Sequence, residues 1–123
     1  DRIVIGFVGD GGAMMSGQEF AAAIQHGIDP IIIVINNNMY GTIRMHQDRD
    51  YPGRDVATDL SNPNFAKWSE SFGGFGEVVS RTEDFVPAFE RALNAGRIAL
   101  LELRIDPNMI STRATLESLR SLK

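Results

Sequence analysis

The sequence predicts an α/β domain, a parallel sheet of about four or five strands with helices on both faces. Three observations carry that prediction. Val4-Ile5-Gly6-Phe7-Val8 and Ile31-Ile32-Ile33-Val34-Ile35 are apolar runs rich in β-branched residues, as strands buried on both faces of a parallel sheet are. Each run stops at a polar or glycine-rich corner, Gly9-Asp10-Gly11-Gly12 after the first and Asn36-Asn37-Asn38 after the second. Beyond them, helix-patterned and strand-patterned segments keep alternating along the chain.

The first strand is expected over residues 2–8 and a turn over 9–13. Ser16-Gly17-Gln18-Glu19 fits a capping box, with Ser16 as N-cap and Glu19 reaching back to its amide. Phe20, Ala21, Ala23 and Ile24 form the apolar stripe of the helix that follows, and Gly27 is placed to end it. Asp29-Pro30 opens the second strand, which runs to about Asn36. Strand, helix and strand in so short a span make a right-handed βαβ unit.

The stretch 37–62 is long and mostly polar, as functional or mobile loops are, with a short helix expected over 42–47. Asn62-Pro63 reads as a cap with proline at the first helical position, opening a helix to about Phe72. Phe65, Trp68 and Phe72 share one face of it, as core or as a subunit contact. Gly73-Gly74 ends that helix, and Phe75–Val79 is a third strand. Thr82 or Asp84 caps the next helix, with Phe85, Phe89, Ala92 and Leu93 inward and Gly96 at its end. Pro87 demands that this helix start close by, because proline is tolerated only in the first turn. A fourth strand over 98–105 and a weakly amphipathic helix over 112–122 follow.

Composition narrows the function classes. At 123 residues, 43% hydrophobic and 23% charged, the chain is one globular domain with room for a core. No apolar run approaches the roughly 20 residues of a membrane span. A net charge of −4 argues against non-specific nucleic-acid binding, which needs a basic surface. It leaves room for an anionic cofactor, because backbone dipoles and a metal act locally. With no cysteine there is neither a disulfide framework nor a thiolate metal site, in keeping with a cytoplasmic protein. Asp1-Arg2-Ile3 carries no initiator methionine and no signal-peptide pattern, so the chain reads as a piece of a longer protein.

Corners at the carboxyl ends of parallel strands are where open α/β sheets bind ligands. Glycines let bare amides approach a ligand, and successive amides make a nest for phosphate oxygens. A helix start adds its positive dipole end. Asp10 in the middle is wrong for direct contact with phosphate but right if a divalent cation lies between them, and magnesium takes few carboxylates alongside substrate phosphates. A tight turn with Asp10 capping the next helix is the competing reading. A dinucleotide fingerprint fails twice: Met14 stands where its last glycine or alanine belongs, and Asn36-Asn37 stand where an acid should meet the ribose. Carboxamide oxygens are neutral hard ligands, useful where a diphosphate and Asp10 already supply charge, although asparagine is also common in turns.

Gly9-Asp10-Gly11 followed at this spacing by Asn36-Asn37 resembles the diphosphate-binding motif of thiamine-diphosphate enzymes. The likeness continues through Gln18-Glu19-Phe20, Tyr40-Gly41-Thr42-Ile43-Arg44, Asn62-Pro63-Asn64-Phe65, Gly73-Gly74 and Ala99-Leu100-Leu101-Glu102-Leu103. Over nearly the whole chain it is similar to the C-terminal cofactor domain of the acetolactate synthase-like group. The resemblance implies a partial thiamine-diphosphate-binding fold, with Asp10, the Asn37 side chain and the Met39 carbonyl as magnesium ligands. It implies that the amides of Gly11, Gly12 and Ala13, at the corner opened by Gly9, hold the diphosphate. Met39, Tyr40 and Gly41 would border the thiazolium, and Asn36 would be structural.

The implied reaction is decarboxylation or carboligation of a 2-oxo acid, in a full-length homodimer or homotetramer. Such enzymes activate the ring with a glutamate from another domain, commonly the partner subunit's. No residue here matches it, so no catalytic residue is assigned and the chain alone is expected to be inert. Glu19 reads as a capping residue and Glu102 as a strand-end charge. Tyr40-Gly41-Thr42 departs from the Gly-Met-Val common in the synthases and looks partly like decarboxylases of the benzoylformate type. Arg44 and His46 are candidates to meet a substrate carboxylate, against the simpler reading of a solvated loop. A non-catalytic diphosphate- or nucleotide-binding module is the further alternative.

Overall fold

The computed structural model describes residues 2–121. Strands β1 (Ile5–Gly9), β2 (Ile31–Asn36), β3 (Phe75–Val79) and β4 (Ala99–Arg104) form one sheet in the order β1-β2-β4-β3, every pair parallel. Helix α1 (Asp10–Ser16), a 3-10 turn (Gly17–Glu19) and α2 (Phe20–His26) cross from β1 to β2. Helices α3 (Gly41–Asp50) and α4 (Phe65–Ser71) lie between β2 and β3. After a 3-10 turn at Thr82–Asp84, α5 (Phe85–Leu93) leads into β4. A small antiparallel pair, β5 (Met109–Ser111) and β6 (Ala114–Thr115), precedes α6 (Leu116–Arg120). None of the described helices is long and apolar enough to cross a membrane.

Strand alternation sorts the core into two layers. Ile31, Ile33, Ala99 and Leu101 face α5, where they meet Ala88, Ala92, Phe85 and Phe89. Val34, Ile98 and Leu100 point the other way, onto Ala13, Phe20, Phe65 and the rim of Trp68 and Phe72. Both faces of the sheet are therefore covered over β2 and β4, as the unbroken run of isoleucines in β2 predicts; β1, expected to be buried on both faces too, lies at the edge of the sheet and leaves Ile5 and Phe7 exposed. Trp68 joins the core aromatics, stacking with Phe20 at 6.5 Å between ring centroids.

Several local expectations are corrected. The first strand starts at Ile5, not at residue 2, and the first helix begins at Asp10 without waiting for Ser16. No capping box forms there: neither Ser16 nor Glu19 makes a side-chain cap bond. Gly17 instead packs directly against Trp68: a Cβ on it would fall 2.9 Å from Trp68 Cζ2 and closer still to two other ring carbons. Gly27 does end α2 as expected, in the left-handed region at φ 62°. The true N-cap of α4 is Asn64, whose side chain accepts from the Lys67 amide at 2.8 Å. Pro87 falls third in α5, within the first turn. The C-terminal stretch is the β5–β6 pair plus a helix capped by Thr115 with a Thr115–Ser118 capping box; the end of the expected helix, at residue 122, lies outside the described residues.

Candidate functional site

In-register pairing sets Gly9 opposite Ile35, so the carboxyl ends of β1 and β2 present Asp10 and the asparagines side by side. A cavity of about 430 Å³ opens there. Gly9, Asp10, Gly11, Gly12, Asn37, Met39, Tyr40 and Gly41 all line it. Ala13 does not: its side chain is buried in the core. In a helix that starts at Asp10, the Ala13 amide is also the first to find a partner inside the helix, which leaves the amides before it free. Ile35, Ile43, Met45, Ile105 and Ile110 line the rest of the cavity with apolar side chains.

Each asparagine has a separate task. Asn37 Oδ1 accepts the Met39 amide at 3.2 Å, a local turn. Asn38 takes the left-handed conformation at φ 56°, which asparagine tolerates better than most residues. Its carbonyl accepts Leu60 N–H at 2.8 Å while Tyr40 N–H reaches Thr58 O at 2.8 Å. These two bonds flank an antiparallel bridge between Met39 and Asp59. The amide and carbonyl of Met39 thus face away from Asp59, and the amide meets Asn37 Oδ1. Gly41 leaves room for the same corner, because a Cβ there would lie 2.8 Å from Asn37 Nδ2 and push that carboxamide aside. On the opposite wall a Cβ on Gly11 would lie 2.5 Å from the Tyr40 ring, so the glycine and the tyrosine fit only together.

Asn36 is structural: its Nδ2 donates to Glu102 Oε1 at 2.9 Å. Glu102 is no strand-end charge. It is 1% exposed, in the middle of the sheet, and it also accepts Arg104 Nε at 2.9 Å and the Phe65 amide at 3.0 Å. A buried carboxylate needs such partners, and the Phe65 amide opens α4, where a negative charge is favoured. Asn62, expected to be a helix cap, instead donates to Asp10 Oδ2 at 2.7 Å and to Asn36 Oδ1 at 3.0 Å. Nothing in the local pattern separates it from Asn64; only the fold brings it to Asp10.

Arg44 and His46 do not line the cavity. Arg44 is consumed by Asp48 at 3.0 Å, Asp55 at 3.1 Å and Asp59 at 3.4 Å. Asp48, wholly buried, also pairs with Arg120 of α6 at 2.8 Å. Burial pushes the Asp48 carboxyl up, but hydrogen bonds from Arg120 and Arg44, together with their charges, outweigh it and hold the group below its ordinary value. Because the folded value is the lower one, this cluster stabilises fully above about pH 4 and is lost as pH falls through the folded value. Arg44→Ala leaves the buried carboxylate with Arg120 as its one ion-pair partner among the described residues. It is expected to cost about 2 kcal/mol at neutral pH, somewhat under the loss of an only partner. The difference between variant and wild type should shrink near pH 3, as read from urea unfolding at both pH values.

Residues 1–103 match the family described as thiamine pyrophosphate enzyme, C-terminal TPP binding domain. The chain belongs to that family. It is 30% identical to the acetolactate synthase large subunit of Haemophilus influenzae over 105 residues, 84% of the chain and 18% of that protein. Against the sulfoacetaldehyde acetyltransferase of Castellaniella defragrans it is 33% identical over 94 residues, 76% of the chain and 16% of the relative. A solved thiamine diphosphate-dependent 4-hydroxybenzoylformate decarboxylase from Rhodococcus jostii RHA1 superposes with a TM-score of 0.79 at 35% identity, over 86% of the chain and 20% of that structure. The benzoylformate decarboxylase of Polynucleobacter necessarius shares the fold at a TM-score of 0.80 and 19% identity, over 88% of the chain and 20% of its own. This chain of the thiamine pyrophosphate family therefore spans under a fifth of the length of the curated relatives it matches.

Proposed function

We propose that the cavity holds thiamine diphosphate through one magnesium ion, in an enzyme that acts on 2-oxo acids. The observation that carries this reading is the convergence of Asp10, Asn37 and Met39 on the cavity that Gly11 and Gly12 also line. The donor set suits the ion. One carboxylate, one carboxamide oxygen and one backbone carbonyl are hard oxygen ligands, few enough to leave places for diphosphate oxygens and water. Asn37 Oδ1 has a second lone pair beyond the one given to Met39 N–H. The free amides of Gly11 and Gly12 meet the diphosphate at the start of α1, and Tyr40 and Gly41 border the ring. Ile43, Met45 and Ile110 keep water from the reacting face. When bound, the cofactor supplies the carbanion chemistry that breaks or makes the bond beside the 2-oxo group.

The ring-activating glutamate is taken to come from outside this chain, within a homodimer or homotetramer, so the chain alone is inert. Acetolactate synthase-like carboligation is the leading reaction. Decarboxylation of the benzoylformate type is the second reading, favoured by the 35% identity to the Rhodococcus decarboxylase and by Tyr40-Gly41-Thr42. Product analysis of the full-length protein with pyruvate against benzoylformate separates the two. The site itself is tested by diffraction from crystals of the full-length protein grown with thiamine diphosphate and manganese in place of magnesium. The anomalous peak is expected between Asp10, Asn37 and the Met39 carbonyl. A peak elsewhere, or diphosphate bound away from Gly11 and Gly12, refutes the assignment.

A further inference from the structure

We propose that Asn62 is a positioning residue for the metal site, holding the Asp10 carboxylate in place from outside the ligand set. The inference rests on the reading that Asp10 ligates magnesium. Asn62 lies in the segment that leads into α4, 52 positions from Asp10. Its Nδ2 nonetheless sits 2.7 Å from Asp10 Oδ2, 3.0 Å from Asn36 Oδ1 and 3.3 Å from Asn38 Oδ1. One amide nitrogen has two protons for these three oxygens, and the two shortest contacts take them. Asp10 Oδ2 is thereby committed to Asn62, leaving Oδ1 free of that bond and the carboxylate fixed in rotation. Capping does not explain Asn62, since Asn64 performs that task for α4.

Asn62 is itself anchored. Asn36, 4% exposed, receives its second bond and passes its own Nδ2 to Glu102 Oε1 at 2.9 Å. The other Glu102 oxygen is held by the Phe65 amide. A single hydrogen-bonded line, Glu102 to Asn36 to Asn62 to Asp10, so connects the middle of β4 with the corner after β1. Outer partners of this kind orient metal ligands, and their loss typically lowers metal affinity by about 10- to 100-fold. A residue that merely filled space would change stability and leave the metal dependence alone.

The test titrates the full-length protein with thiamine diphosphate at a series of magnesium concentrations, by calorimetry, as wild type, Asn62→Leu, Asn62→Ser and Asp10→Ala. Leucine copies the shape of asparagine without its donors. Serine keeps a donor on a shorter arm, and covers the case in which the leucine variant does not fold. In Asn62→Leu the magnesium concentration for half-maximal cofactor binding should rise about 10-fold or more, with cofactor affinity at saturating magnesium unchanged; Asn62→Ser should fall between it and wild type. An unchanged magnesium midpoint in the folded Asn62 variants, with Asp10→Ala impaired, overturns the role of Asn62 and leaves the magnesium site standing. A cofactor affinity that saturating magnesium does not restore overturns it as well, because that marks general disruption. Should Asp10→Ala keep the wild-type midpoint, the magnesium reading falls and the role of Asn62 with it.

Discussion

Gly76→Ala is expected to unfold the domain, or to lower its melting temperature by roughly 15 °C, corresponding to about 4 kcal/mol. Gly76 lies in β3 opposite Leu100. A Cβ there would stand 2.6 Å from the Ala66 carbonyl carbon, 2.8 Å from Ala66 Cα and closer still to the carbonyl oxygen. All three atoms are backbone, so no side chain can swing aside. The helix must retreat from the sheet, and with it go Phe65, fully buried, and the aromatic contacts of Trp68. Ordinary overpacking costs about 1–3 kcal/mol; here the strain is added to the lost packing of a whole helix. Circular dichroism melting checks it, and a drop under a few degrees would mean that α4 does not rest on Gly76.

Asp10→Ala is expected to leave the fold intact and remove magnesium-dependent cofactor binding. Asp10 is 2% exposed, and among the described residues its one side-chain hydrogen bond comes from Asn62, which keeps Asn36 and Asn38 as alternative acceptors. Losing a buried carboxylate whose neighbours remain satisfied costs little stability, and the favourable contact with the start of α1 is worth under about 1 kcal/mol. Binding is another matter. Alanine removes the sole acid of the proposed ligand set, and affinity should fall about 100-fold or more, beyond the usual effect of outer-shell partners. Unaltered thermal melting beside lost binding is the signature sought.

How legible this was in the sequence depended on whether the cause was local. The βαβ unit could be read because Ile31 to Ile35 are apolar on both strand faces, and Phe75–Val79 falls where glycines and aromatics bracket it. The corners could be read because glycine and asparagine answer to backbone geometry. Other features answer to distant contacts. Helix α1 starts on Asp10-Gly11-Gly12, a poor helix sequence by propensity, and the glycine at position 11 lies against the Tyr40 ring, a contact from 29 positions on. Helix α3 has no apolar stripe and is pinned by Arg44, Asp48 and the far-off Arg120, so only part of it was expected. Glu102 looks like an ordinary strand-end charge until β4 is seated in the middle of the sheet. Asn62 gives no local sign at all that it meets Asp10.

Whether Asp10 and Asn37 serve one magnesium ion that carries the diphosphate is decided by calorimetry of the full-length protein. Thiamine diphosphate is titrated with magnesium and again in excess chelator, with ADP as a control diphosphate. Saturable binding of thiamine diphosphate is expected only with magnesium, absent in Asp10→Ala, and none of ADP. Equal affinity with and without the metal, or equal affinity in a folded Asp10→Ala protein, would contradict it.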